Sequence, residues 1–192
     1  TSLAAIAIAA KRLLPVGTLR LAQGLPTIIA VRGINASAFF LSEAFVPLWL
    51  HEQRGWSITA AGMALTGGAL FWSLGSHLQS RMTLDATRQM WLQRGCLLLL
   101  LGILACTATV LGLLPEWCIL IGWSITGLGM GVSFPMFGVL ALKLAPRELH
   151  GTYSSALQLA NALFTGAALA AGGLMFSLLQ AVTHAPQPMQ VF

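Results

Sequence analysis

Charge is the scarcest property of this sequence: Asp, Glu, Lys and Arg make up 8% of its 192 residues, where a soluble domain carries about 25%. An aqueous fold is thereby excluded. The hydrophobic share of 57% and the mean hydropathy of +0.82 belong to proteins that cross a membrane several times. Also missing is the alternation of apolar and polar residues that outer-membrane barrel strands require. The apolar runs continue over about 20 residues, which selects helices. Cysteine is sparse, and Cys96, Cys106 and Cys118 lie in or beside apolar runs without C-x-x-C spacing. They read as packing thiols, not as a disulfide framework or a zinc site. His51, His77, His150 and His184 are scattered, and neither H-E-x-x-H nor G-x-S-x-G occurs, which leaves a membrane-embedded enzyme without clustered catalytic groups. The net charge of +5 has no basic run or aromatic-interleaved patch behind it, so membrane lipid is the expected partner and nucleic acid is not.

What is present is a succession of apolar stretches. Residues 1–10 are apolar but cover only about half a span and run into Lys11 and Arg12 with no charged region before them, so they read as the tail of a preceding transmembrane helix and not as a signal peptide. Residues 11–25, with Lys11, Arg12, Arg20, Pro15, Gly17 and Gly24, read as a polar connector. The segment 26–183 holds about five full spans, at 26–50, 57–79, 95–114, 117–142 and 149–179. Ser57 is placed to cap the second of them. Residues 184–192, broken by Pro186 and Pro188, read as a loop, with the chain expected to stop short of a last helix.

Assigning alternate loops to opposite sides separates the basic residues. One side receives Lys11, Arg12, Arg20, Arg32, Arg81, Arg88, Arg94, Lys143 and Arg147, and the other only Arg54. By the positive-inside rule the connector 11–25 and the loops 77–94 and 143–150 are cytoplasmic. The loops 51–56, 114–117 and 184–190 then face outward.

Within this apolar background the polar residues stand out. The first span carries Arg32, Asn35 and Glu43, and a charged side chain inside a membrane helix normally faces a protein interior or a water-filled cavity. Arg32 and Glu43 are separated by close to three helical turns, about 16 Å, so they share a face but cannot pair. Arg32 is near enough to the cytoplasmic end to snorkel instead. Glu43 is deeper, and Pro47 leaves its backbone carbonyl without an N–H partner. Two roles stay open for it: a proton-coupling or cation-recognising carboxyl, or a hydrogen-bonded structural one. Thr59, Gly62, Thr66, Ala69, Ser73 and Ser76 give the second span a small, weakly polar face suited to helix packing. In the fourth span Pro135 cannot bond the carbonyl of Gly131, which makes this pair, like Pro47 in the first span, a hinge candidate. The run Gly127-Leu-Gly-Met-Gly131 lacks the preceding strand and following Lys-Ser/Thr of a phosphate loop. In the fifth span Ser154, Gln158, Asn161 and Thr165 follow at steps of four, three and four residues, one helical face that serves either interhelical bonding or a cavity lining.

The segments Arg12-Leu-Leu-Pro-Val-Gly-Thr-Leu-Arg20, Gly24-Leu-Pro26, Arg32-Gly33, Phe39-Phe40, Ser42-Glu43-Ala44, Pro47-Leu48, Arg54-Gly-Trp-Ser57, Ala61-Gly62 and Gly75-Ser76 resemble, over essentially the whole chain, the C-terminal half of bacterial major facilitator superfamily transporters, especially drug-efflux-like members. Gln79 departs from that family's cytoplasmic loop motif, standing where it has aspartate. The resemblance implies an all-α integral membrane fold in the bacterial cytoplasmic membrane. It makes the chain most of a six-helix half, from the end of the sixth helix to the eleventh, with the N-terminal half of the same transporter as the missing partner. It also implies secondary transport of small, amphipathic molecules by alternating access, as proton-coupled efflux, with the proton gradient and no cofactor as the energy source. On this reading Glu43 couples protons or recognises a cation. Arg32, Asn35, Gln158 and Asn161 line the cavity with polar groups, and Phe39, Phe40 and Trp72 supply apolar contacts to substrate. Pro47, Gly131 and Pro135 permit bending. The alternative is a transport-incompetent fragment or a membrane scaffold.

Overall fold

In the computed structural model of the protein, residues 14–81 and 87–183 are described, the side chains as far as residue 178. The expected tail at 1–10, the start of the connector and the loop at 184–192 lie outside the described residues. Hydrocarbon offers backbone groups no hydrogen-bond partner, so long apolar segments must satisfy them internally as helices. The elements are α1 (Leu25–Arg54), α2 (Ile58–Ser80), α3 (Arg88–Val110), α4 (Cys118–Leu144) and α5 (His150–Thr183), with short 3-10 turns at Thr18–Arg20 and Arg147–Leu149. There are 5 helices long and apolar enough to cross a membrane, and no strand, among the described residues.

Local chemistry explains the boundaries. Gly55 adopts a left-handed φ of 68° and ends α1, its N–H bonding the carbonyl of His51 at 3.2 Å. Ser57 caps α2 as its position predicts, its Oγ accepting from the Ala60 N–H at 3.1 Å. The largest departure from the predicted spans is α3, which begins at Arg88 and not near residue 95, and ends at Val110. Its backbone ladder simply continues through the polar residues ahead of the apolar run, and Gly112, at φ 75°, turns the chain early at the other end. The connector is more tightly structured than its composition indicates. Thr18 Oγ1 donates to the Pro15 carbonyl at 2.7 Å, and Leu14 is buried in a cluster with Ile29, Ala141, Ala156, Leu157 and Ala160.

Packing is organised by α4, the most deeply buried of the five helices. Gly122, Thr126, Gly129 and Ser133 meet Gly95, Leu99, Gly102 and Cys106 of α3, running antiparallel at backbone contact. A second face puts Gly127 against Gly68 and Gly131 against Trp72 and Gly75 of the parallel helix α2. Apolar helices in lipid gain little from mere desolvation against one another, so this close approach of small residues supplies the attraction. A third face receives α1 around Phe39, Trp123 and Met130, and α5 lies along α1, with Phe164 over Gly33 and Gly172 beneath Leu41 and Phe45. Outside its glycine face α3 is largely uncovered, with Leu97, Leu100, Leu101 and Leu104 exposed, as a helix offering little but leucine should be.

The small face predicted for packing on α2 meets α4 only at Ser76, which contacts Gly131, and is corrected for the rest. Thr59, Gly62, Thr66, Ala69 and Ser73 are exposed, and the buried strip is Ala61, Ala64, Gly68 and Gly75. Both faces are small; the glycines that meet Gly127 and Gly131 decide between them. Helix directions alternate, so Arg20, Arg81, Arg88, Arg94, Lys143 and Arg147 gather toward one end of the bundle and Arg54 lies at the other. At that opposite end Trp56 Nε1 donates to Glu116 Oε1 at 2.6 Å and ties two loops together.

A methyl group at Gly129 would press on the Leu99 backbone, whereas one at Gly138 would meet open space. Gly129→Ala is therefore expected to lower stability by about 1–3 kcal/mol and Gly138→Ala, inside the same helix, to leave it unchanged or raise it by up to about 1 kcal/mol, as compared by thermal unfolding of the purified protein in detergent.

Candidate functional site

The polar residues of α1 turn inward. Arg32 is only 8% exposed, so its guanidinium does not snorkel to the end of the bundle but points at α4 and α5. Nη1 donates to the Phe134 carbonyl at 3.3 Å and Nη2 to Gln158 Oε1 at 3.4 Å, while the cation lies 4.0 Å from the centroid of the Phe134 ring. Nε has no partner. One turn along, Asn35 Nδ2 donates to Ser133 Oγ at 3.2 Å and contacts Met130 Sδ at 3.3 Å, and Ser133 in turn donates to the Gly129 carbonyl.

Aromatic rings extend the site along the helix. Phe134 meets Trp72 at 6.2 Å between centroids, Trp72 meets Phe39 at 5.0 Å, and Phe39 packs edge-on to Phe40 and stacks on Trp123. Phe39 is itself fully enclosed, so Phe40, Trp72 and Phe134, each half-buried, carry the accessible apolar surface. On α5, Gln158 is exposed, and Asn161 Oδ1 and Thr165 Oγ1 are enclosed without a hydrogen-bond partner.

Glu43 stands apart from this cluster. It is half-buried and forms no hydrogen bond or ion pair among the described residues. A cavity of about 530 Å³ opens beside it between α1 and α3, lined by Ser42, Phe45, Val46, Trp49 and Ile103 among others, but neither Glu43 nor Arg32 lines it. The helices continue through both prolines. Where Pro135 frees the carbonyl of Gly131, Ser76 Oγ of α2 donates to it at 3.3 Å, and Gly131 is at the same time a site of helix contact.

The structure thus brings Arg32, Gln158 and Asn35 into reach of α4, with Asn161 three residues past Gln158 on α5 and Trp72 of α2 against the Phe134 ring, and leaves Glu43 roughly three turns away. Sequence reasoning missed Phe134, Met130 and Ser133. All are ordinary in an apolar helix, and only the meeting of α1 with one side of α4 gives them a role. Because Asn35 and Ser133 act on each other directly, a double-mutant cycle of Asn35→Ala and Ser133→Ala is expected to give a coupling of about 0.6 kcal/mol, and at most about 1.7, in unfolding measurements.

Comparison with known proteins agrees with this architecture. The Major Facilitator Superfamily profile matches residues 4–171. A probable actinorhodin transporter of Streptomyces coelicolor is 28% identical over 165 residues, which cover 83% of this chain and 28% of that protein. The chain therefore spans less than a third of the length of the curated relative it matches. No solved structure matches it. With a bundle of membrane-length helices joined by short loops and a family profile that covers most of its length, the chain is a multi-pass membrane protein that belongs to the major facilitator superfamily.

Proposed function

We propose that this chain forms part of a secondary transporter that moves small amphipathic molecules across the membrane by alternating access, in the direction of efflux and driven by protons. The observation that carries the reading is a buried guanidinium with an amide one turn away, both on the inward face of a membrane-spanning helix. Charge placed there is costly, and it marks a pathway more often than a scaffold. The half-buried rings of Phe40, Trp72 and Phe134 beside it suit an amphipathic passenger. A transporter rather than an enzyme also fits the family.

In this reading Glu43 carries the proton. Its carboxyl has no partner among the described residues, so it is free to change protonation state without breaking a local bond. Pro47, Gly131 and Pro135 mark the points at which α1 and α4 bend as access alternates. The proton gradient is the energy source, and no cofactor takes part.

The test uses inside-out vesicles holding the protein expressed from its complete reading frame. Under an imposed proton gradient, Glu43→Gln is expected to bring gradient-driven uptake of a fluorescent amphiphile down to the level of vesicles without the protein, while equilibrium exchange persists. Undiminished gradient-driven uptake would remove Glu43 from the mechanism.

A further inference from the structure

At the basic end of the bundle a cavity of about 930 Å³ lies between residues 14–16 and the first turns of α5. Its wall has two characters, apolar at Leu14 and Leu159 and hydroxyl-bearing at Tyr153, Ser154 and Ser155. Gln158 also lines it, whereas the buried Arg32 does not line it and is connected to the wall through Gln158, whose Oε1 accepts from Arg32 Nη2. No carboxylate lines the cavity among the described residues.

Arg32 is poorly served where it stands. A guanidinium offers five N–H donors. This one has two acceptors, at 3.3 and 3.4 Å, beyond the usual range for N–H···O bonds, and an Nε with none. Buried charges are normally paired, yet no carboxylate pairs with Arg32 among the described residues. Glu43 is about 16 Å along the same helix. Glu52 and Glu116 belong to the opposite end, and Glu148 is exposed.

We propose that this cavity receives the anionic group of the transported molecule, a carboxylate or sulfonate, with Arg32 as the receiving cation. The inference rests on the transport reading given above and names its substrate class. Gln158 is the side chain that yields: it releases a long bond to Arg32 and can turn its amide N–H to the anion. A planar guanidinium matches two anion oxygens at once, and Leu14 and Leu159 cover the apolar body of the ligand.

Two fluorescent probes share an aromatic body and differ in charge: 8-anilinonaphthalene-1-sulfonate and the uncharged N-phenyl-1-naphthylamine. Saturable binding to the protein, expressed from its complete reading frame and held in zwitterionic nanodiscs, is read by energy transfer from tryptophan. Arg32→Gln is expected to weaken sulfonate binding about tenfold or more, as loss of a charge-assisted bond should, and to change the uncharged probe less than about twofold. Arg32→Lys should fall between. If Arg32→Gln does not fold, Gln158→Glu, which sets a carboxylate against the cation, should produce the same selective loss. Absence of saturable sulfonate binding in the wild type, or equal losses for both probes, overturns the proposal. Arg32-dependent sulfonate binding without gradient-driven movement of either probe would sink the transport reading and leave the anion site standing. Transport of the uncharged probe together with sulfonate binding indifferent to Arg32 would do the reverse.

Discussion

Everything in this bundle depends on how closely other backbones can approach α4. Two leucine-rich helices in hydrocarbon have little reason to associate, because lipid is as apolar as leucine. Attraction has to come from dispersion at short range, and short range needs side chains small enough to disappear. Gly122 and Gly129 provide this toward α3, and Gly127 and Gly131 toward α2. Each of these glycines would force backbone or a bonded side chain aside if it carried a methyl group, so the two faces of α4 leave little freedom in the register of their neighbours.

That register sets the third face. With α2 and α3 locked on, α4 presents Met130, Ser133 and Phe134 to α1, and these meet Asn35 and Arg32. The polar cluster is therefore a consequence of glycine packing one helical face away. Ser76 belongs to both: it lies on the α2 contact and satisfies the carbonyl that Pro135 leaves unbonded, so a helix-breaking residue persists in a continuous helix. The arrangement also gives Arg32 its unusual state, held against Phe134 by a ring and a carbonyl yet short of acceptors. A group in that condition is ready to bind an anion without first breaking a strong bond.

The legibility of the chain varied with the kind of information each feature needs. Membrane helices were evident from apolar run length, because that is a property of single segments. The cap at Ser57 was also local and agrees with the sequence reading, whereas α1 runs past the expected end near residue 50 to Arg54, where the left-handed Gly55 stops it. The limits of α3 were less legible, since a helix extends past its apolar run wherever its backbone bonds are satisfied. On α2 the small, weakly polar face expected to pack meets α4 only at Ser76, and Ala61, Ala64, Gly68 and Gly75 form the buried strip. The pairing of Gly68 with Gly127 is a relation between two helices, and neither segment contains it.

Arg32 shows the division most clearly. Its presence in an apolar run was enough to mark it as unusual, and its depth left two destinations, the end of the bundle or the interior. The tertiary structure chose the interior, because the side chain that reaches α4 finds a carbonyl, an amide and an aromatic face within hydrogen-bonding or stacking distance. By itself the sequence determined the class of fold, the number of crossings and which residues were costly to place in lipid, since hydropathy and charge act residue by residue. Only the tertiary structure decided which small faces touch and which polar groups meet, because those depend on contacts between segments far apart in the chain.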